Sequence, residues 1–149
     1  MTGRNKISLI AIIVTFLSCF VINNSFAQNS KNTCKGKQDS ILHKFVYTTV
    51  DIMPEPQNGL KTLSDSLMKH LKYPTNKGDF QGKVIIAFVI EPDGKIDGQR
   101  VIRNLFGSDF TFSQQLFKIV KSFKWEPGLC KGKPVPVLYP LPINIGIQE

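Results

Sequence analysis

The sequence predicts an α+β fold in which two helices pack on one face of an antiparallel three-stranded sheet, with a peripheral N-terminal strand beside it. Three observations support this class. Two runs of β-branched and aromatic residues flank a turn at 91–94 and predict a β-hairpin. Apolar residues recur at helical spacing over 60–71 and 112–123, and an apolar strand rich in proline follows at 134–147. Elements with one apolar face each pack as layers.

Residues 1–27 resemble an export signal. Arg4 precedes an apolar run over 7–22, and Ala27 is the small residue expected before a signal peptidase cut. We therefore expect a Sec signal peptide and a periplasmic protein. Two alternatives stay open. One is an uncleaved inner-membrane anchor, although the run is shorter than the roughly 20 residues of a spanning helix. The other is a lipoprotein attached through Cys19.

The mature chain, 28–149, has the length of one domain. Lysine and arginine number 19 against 11 aspartate and glutamate residues, a net charge of +8 for the whole chain. For an exported protein this charge favours anionic envelope components over nucleic acid, and a solvated surface explains it equally well. The polar, aperiodic stretch 28–43 predicts a flexible arm before a domain at 44–149.

Cys34 and Cys130 are the two cysteines beyond the predicted signal. An oxidising compartment would allow them to form a disulfide. The closed loop of nearly a hundred residues would then contribute up to about 4 to 5 kcal/mol in the chain-entropy model. Sequence does not supply the distance between the two Cα atoms, so the pairing stays open.

The first half of the domain predicts a strand and a helix. Residues 44–52 are rich in β-formers and predict a peripheral strand, which the Met-Pro-Glu-Pro segment at 53–56 ends. An amphipathic helix follows, because its leucines recur three and four residues apart. These are Leu60, Leu63, Leu67 and Leu71. Tyr73 ends the helix, since a residue before proline is disfavoured in the α region.

The second half predicts a hairpin and a second helix. Strands at 84–90 and 96–104 flank a Glu-Pro-Asp-Gly turn. Ser108 or Asp109 can cap a helix with a continuous apolar stripe. The stripe consists of Phe112, Leu116, Ile119, Val120 and Phe123. Trp125 follows this helix and is expected to close the core rather than to anchor a ligand.

The last strand has apolar residues at odd positions and prolines at even ones. The prolines are Pro134, Pro136, Pro140 and Pro142. Successive backbone N–H groups point to opposite edges of a strand, so all four prolines lie on one edge and this must be an edge strand. The donors left on that edge belong to Leu138, Asn144 and Gly146.

Two interpretations of this edge stay open. The prolines protect an exposed edge from aggregation. Alternatively, a partner peptide adds as a strand over the remaining donors. The candidate partner-binding residues are Leu138, Tyr139, Leu141, Ile143, Asn144, Ile145 and Gly146.

Catalytic or metal chemistry finds little support in the sequence. His43 and His70 are the two histidines, and neither has a second ligand at metal-site spacing. No nucleophile and base pair can be singled out. We expect no enzyme, no cofactor, no metal, no nucleic acid and no small-molecule substrate.

A series of short motifs resembles the C-terminal domain of TonB energy transducers, in the form common in Bacteroidetes. The motifs are Met-Pro-Glu-Pro at 53–56, Leu-Lys-Tyr-Pro at 71–74, Gly-Lys-Val at 82–84, Asp-Gly-Lys-Ile at 93–96, Trp-Glu-Pro-Gly at 125–128, Gly-Lys-Pro-Val at 132–135 and Leu-Pro-Ile at 141–143. The resemblance covers about residues 47–147. It implies a periplasmic two-layer α+β domain that grips a segment of outer-membrane transporters and transmits force from an inner-membrane proton-driven motor.

The sequence departs from that family at its start. Only about twenty residues separate the apolar run from the first strand, whereas a force transducer needs a long linker across the periplasm. We therefore expect a free-standing domain that binds a segment of an outer-membrane TonB-dependent receptor or another envelope protein. The alternative is an envelope module, for example one that binds peptidoglycan through Lys118, Lys121, Lys124, Lys131 and Lys133. A homodimer also stays open.

Overall fold

The computed structural model describes residues 34–73 and 81–146, and its central feature is a five-stranded sheet in the order β1-β2-β9-β4-β5. The expected signal peptide lies outside the described residues. In chain order the elements are β1 (Lys35–Gln38), β2 (Phe45–Thr49), β3 (Glu55–Pro56), α1 (Gly59–His70), β4 (Gly82–Ile90), β5 (Ile96–Arg103), α2 (Thr111–Ser122), β6 (Trp125–Glu126), β7 (Gly128–Cys130), β8 (Lys133–Val135) and β9 (Val137–Ile145). No helix among the described residues is long and apolar enough to cross a membrane.

The predicted antiparallel sheet is confirmed in strands β9, β4 and β5. β4 pairs with β5 across the predicted turn and with β9 along its whole length. In the turn, the N–H of Gly94 donates to the carbonyl of Glu91 at 2.9 Å. Gly94 has φ +78°, and a Cβ there would collide with the carbonyl oxygen of Trp125, so the turn needs glycine.

The two predicted helices contribute to one core on one face of the sheet. Alternate residues of β4 face them, and the core residues are Leu63, Leu67, Leu71, Val84, Ile86, Phe88, Ile90, Phe106, Phe112, Leu116, Val120, Trp125 and Ile145. Leu60 was expected in this stripe but is 50 % exposed, since it lies in the first turn of α1. Asp109 acts at the start of α2, where its carboxylate accepts the N–H of Thr111 at 2.9 Å.

The N-terminal segment of the domain forms two strands rather than one. β2 is the predicted peripheral strand, and β1 lies within the stretch predicted as a flexible arm. That prediction is wrong for residues 35–38, because they pair antiparallel with β2. β2 in turn pairs parallel with β9 at Tyr47 and Val137. The last strand is therefore not an edge strand at its first residue.

The last strand is also shorter than the sequence pattern indicated. Lys133–Val135 forms β8 and pairs with β7 across a turn, apart from the main sheet. Lys131 and Gly132 both have positive φ in this turn, at 51° and 73°. The chain reaches the main sheet only at Val137.

A second long-range pairing lies outside the main sheet and was not predicted. β2 already ends at Thr49, before the Met-Pro-Glu-Pro segment, and that segment contains the short strand β3. Ile52 and Leu129 exchange backbone hydrogen bonds of 3.1 and 2.9 Å. Further along, Glu55 pairs with Glu126 and Pro56 with Trp125. Two of the motifs that carry the family resemblance therefore pair with each other.

Candidate functional site

The candidate site is the side of β9 that faces away from β4. β4 covers one side of β9 from Val137 to Ile145, whereas β2 meets the other side at Val137 alone. No other strand in the described part of the chain pairs with β9. An open edge therefore extends from residue 139 to residue 146. We call these residues the β9 edge.

The register shows which backbone groups the β9 edge offers. Pro140 and Pro142 lie opposite Ala87 and Ile85 of β4. Proline has no N–H to donate, so it fits these positions because its backbone nitrogen points away from β4. The N–H of Tyr47 donates to the carbonyl of Pro136 at 2.9 Å. The backbone N–H and carbonyl groups of even-numbered residues therefore point to the side of β9 away from β4. The β9 edge thus presents the carbonyls of residues 140, 142 and 144 and the N–H groups of residues 144 and 146. It is an edge rich in acceptors.

The predicted binding residues divide by the direction of their side chains. Tyr139, Leu141 and Ile143 pack against the core, and Ile145 is buried in it, so these four contribute backbone and support rather than an exposed side chain. Asn144 and Gly146 are exposed. Leu138 is half-buried and adjoins the contact of β2 with β9. The sequence had indicated that the N–H of Leu138 is an open donor. In the structure this N–H lies beside the contact with β2 and not in the open part of the edge.

Sequence reasoning missed the carbonyls of Pro140 and Pro142. It treated each proline only as a lost donor, although the carbonyl of a proline still accepts a hydrogen bond. The alternation of proline with apolar residues carried this signal, because it fixes which carbonyls point to the open side.

Aromatic rings pack behind the β9 edge. The ring of Tyr139 stacks on Phe88 at 5.7 Å between centroids and meets Trp125 edge-on at 5.3 Å. Trp125 is buried and its Nε1 donates to the carbonyl of Val120 at 3.2 Å, so it closes the core as expected. Burial, and then the charge of Glu55, raise the pKa of the Tyr139 hydroxyl. The edge therefore rests on a tightly packed layer.

A disulfide lies near the start of β9. Cys34 and Cys130 are joined with their Cα atoms 6.0 Å apart. Cys130 packs with Val50 and Val137, and Asp51 accepts the N–H of Lys131 at 2.7 Å. Cys34, Asp51 and Cys130 are the one close group of metal-ligand residue types among the described residues. Metal binding would need thiolates, and both sulfurs are in the disulfide.

The five lysines proposed as a basic patch lie in two regions of the chain, one at α2 and the link after it and the other at the β7–β8 hairpin. Lys121 and Lys124 line a cavity of about 590 Å³ together with Lys95. Lys131 and Lys133 lie instead in and beside the turn between β7 and β8. Lys118 is exposed on α2. Among these, Lys121 and Lys124 are the pair placed at one cavity.

An exposed strand edge is the feature that partner peptides use when they add a strand to a sheet. In the comparison with family models, residues 69–145 match the family described as "Gram-negative bacterial TonB protein C-terminal". The chain therefore belongs to the TonB C-terminal domain family, a family of non-catalytic envelope domains associated with transport.

Among solved structures, the chain is similar to a solution NMR structure of the Pseudomonas aeruginosa TonB CTD. The match has 20% sequence identity and a TM-score of 0.37, and it covers 53% of this chain and 83% of that chain. No curated protein matches the chain.

Proposed function

We propose that this protein works in the periplasm and binds a segment of an outer-membrane TonB-dependent receptor by strand addition at the β9 edge. The observation that supports the proposal most is the open side of β9 beyond its single contact with β2. Strand addition uses main-chain hydrogen bonds for affinity and side-chain pockets for specificity. Family membership supports a receptor as the partner.

The pattern of donors and acceptors restricts the partner strand. Pro140 and Pro142 supply carbonyls and no N–H groups, so the partner must donate at both positions. Asn144 supplies both groups. A partner segment with prolines at the matching alternate positions would not bind.

Asn144→Pro tests the proposal. Proline at this position removes one donor from the open side and no hydrogen bond to β4, so the fold is kept. We expect fluorescence anisotropy to show binding of a peptide from the periplasmic segment of such a receptor weakened by about tenfold. Leu138→Pro is less suitable, because it would also disturb the contact with β2.

Asn144→Ala is the matched control. It removes the amide side chain and keeps the backbone N–H, so binding should remain within about twofold of the wild type. Equal binding by the wild type and by Asn144→Pro would contradict strand addition at this edge. Circular dichroism of all three proteins checks that the fold is unchanged.

A second candidate function is binding to an anionic envelope component such as peptidoglycan. Lys121 and Lys124 line one cavity and favour it, whereas Lys95 in the same cavity pairs with Asp93 at 2.6 Å. Charge attraction between exposed groups weakens with salt, whereas a strand ladder depends on it much less. Capture of sacculi that is lost at high salt would support this function. Salt-resistant capture of an outer-membrane receptor would support the first.

A further inference from the structure

A second groove lies where the Met-Pro-Glu-Pro and Trp-Glu-Pro-Gly segments pair. Its volume is about 410 Å³. The residues that matter for its chemistry are Ile52, Met53, Glu55, Glu126, Pro127 and Leu129. We call it the β3–β6 groove. None of the residues that line it belongs to β9, so it is separate from the β9 edge.

The groove exposes apolar side chains that the core does not use. Ile52 and Met53 are neighbours in the chain, and both are exposed, at 57% and 44%. Adjacent large apolar residues at the surface are typical of interaction sites, and methionine adapts its shape to different partners. Pro127 and Leu129 extend this apolar surface on the facing segment.

The charge of the groove is negative in a basic protein. Glu55 and Glu126 are both exposed and both line it, and no lysine or arginine lines it. Within the described ranges, neither carboxylate forms an ion pair. The ion pairs of the described residues use other carboxylates, so Glu55 and Glu126 are available to an external cation. Glu126 also lines the neighbouring cavity that contains Lys121 and Lys124.

The two carboxylates also repel each other. Glu55 and Glu126 lie directly opposite in the antiparallel pair of β3 with β6, and like charges at such positions destabilise a ladder. A cationic group placed between them would relieve this repulsion. The repulsion between the two carboxylates lowers the stability of the free protein, and its relief adds to the affinity for a cation.

We propose that the β3–β6 groove binds an extended peptide of an envelope protein in which a lysine or arginine is flanked by apolar residues. The cation lies between Glu55 and Glu126, and the flanking side chains cover Ile52 and Met53. Charge complementarity selects a basic segment, and the exposed apolar surface selects its neighbours. The domain thereby has two docking surfaces, and a partner could engage both.

NMR titration of the full chain with three synthetic peptides tests the proposal. The peptides are acetyl-Ser-Leu-Lys-Leu-Ser-amide and its two counterparts with Gln or Glu in place of Lys. We expect the Lys peptide to shift the amide signals of Ile52, Met53 and Leu129. We expect the Gln and Glu peptides to bind more weakly, in that order.

Two variants separate the carboxylates from general charge effects. The double variant Glu55→Gln with Glu126→Gln should weaken binding of the Lys peptide by about tenfold, because two exposed pairs are lost. Asp65→Asn is the matched control, since it neutralises an exposed carboxylate on α1 that pairs with Lys61. It should leave binding unchanged. Glu126→Gln alone should also raise the urea midpoint of the free protein, because it removes the repulsion.

Results of three kinds would overturn the proposal. The first is equal binding of the Lys and Gln peptides. The second is binding that the double variant leaves intact, or shifts that map to the β9 edge. The third is concentration-dependent shifts of Ile52 and Met53 without peptide, accompanied by dimers in sedimentation, which would assign the groove to a second copy of the chain. Because the β9 edge is unchanged in these variants, a negative result here leaves the receptor-binding proposal standing.

Discussion

At the scale of single residues, Asp39 and Arg100 form the most enclosed ion pair among the described residues. The Nη1 of Arg100 lies 2.6 Å from Oδ2 of Asp39, and the side chain of Asp39 is 1% exposed. Oδ1 of Asp39 accepts the N–H groups of Ile41 and Leu42 at 3.0 and 2.9 Å. The hydrogen bond from Arg100 is the main reason that the pKa of Asp39 falls from 3.8 to about 2. The pair joins the β1–β2 loop to β5.

Asp39→Asn should therefore lower the free energy of unfolding by about 3 kcal/mol at pH 7, since it leaves the largely enclosed guanidinium of Arg100 without its charge partner. Urea unfolding at pH 7 measures this. Asp65→Asn breaks an exposed pair and should cost less than about 0.5 kcal/mol. A similar loss of unfolding free energy in both variants would show that the Asp39–Arg100 pair contributes no more than an exposed pair.

The same pair predicts a dependence on pH. The folded-state pKa of Asp39 is depressed, so the stability it contributes is present above its unfolded pKa of 3.8 and is lost as the pH falls toward about 2. This contribution is about 1 to 2 kcal/mol. In urea unfolding from pH 6 down to pH 2, the wild type should lose this amount relative to Asp39→Asn. Parallel pH profiles for the two proteins would contradict the assignment.

Sequence reasoning could not find this pair. Asp39 and Arg100 are 61 residues apart, and each lies in a segment whose local pattern has another explanation. The direction of the proline N–H groups in β9 could be predicted, because it depends only on alternation along one strand.

At the scale of elements, α1 shows which buried residues helical periodicity can predict and which it cannot. The spacing of four leucines predicts the helix and its buried side, and Leu63 is 2% exposed. Leu60 belongs to the same series but lies in the first turn of the helix and is 50% exposed. Periodicity thus identifies the stripe and not its ends, which depend on what packs against them.

Leu63→Ala and Leu60→Ala test this difference in one helix. Leu63→Ala leaves a cavity in the core and should lower the free energy of unfolding by about 2 to 5 kcal/mol. Leu60→Ala removes an exposed side chain and should cost less than about 1 kcal/mol. Chemical denaturation of both variants gives the comparison. Equal losses would place Leu60 in the core and contradict the structure.

The pairing of 51–57 with 124–130 belongs to the same scale and was not predicted. Both segments contain prolines, and prolines near the end of a strand pattern ordinarily indicate that the strand stops. Here each segment finds a partner about 70 residues away, as in the pairing of Glu55 with Glu126. Long-range pairing of irregular strands leaves no local period in the sequence.

At the scale of the whole molecule, the disulfide and the extra strands close the N-terminal side of the domain. The fold class, the hairpin, both helices and the last strand could be predicted, because each has its own periodicity. The parallel contact of β2 with β9 could not, since it depends on the path of the chain between them. That contact shortens the open edge and moves the candidate site from Leu138 toward Asn144.

The disulfide should contribute strongly to stability and little to binding. Cys34 and Cys130 are 96 residues apart, so replacing both by serine should lower the free energy of unfolding by about 4 kcal/mol in the chain-entropy model. β9 is held by β4 along its length, so the folded double variant should bind the receptor peptide as the wild type does. Urea unfolding and anisotropy measure the two effects. Unchanged stability, or lost binding by the folded variant, would contradict this division.

Hydrogen exchange by NMR tests the central proposal most directly, because it reports the amide that a partner strand would cover. On addition of a receptor peptide, the N–H of Asn144 should exchange at least about tenfold more slowly, while the amides of β5 at the opposite edge should not change. Protection confined to β5, or no protection at Asn144 under saturating peptide, would contradict binding by strand addition at the β9 edge.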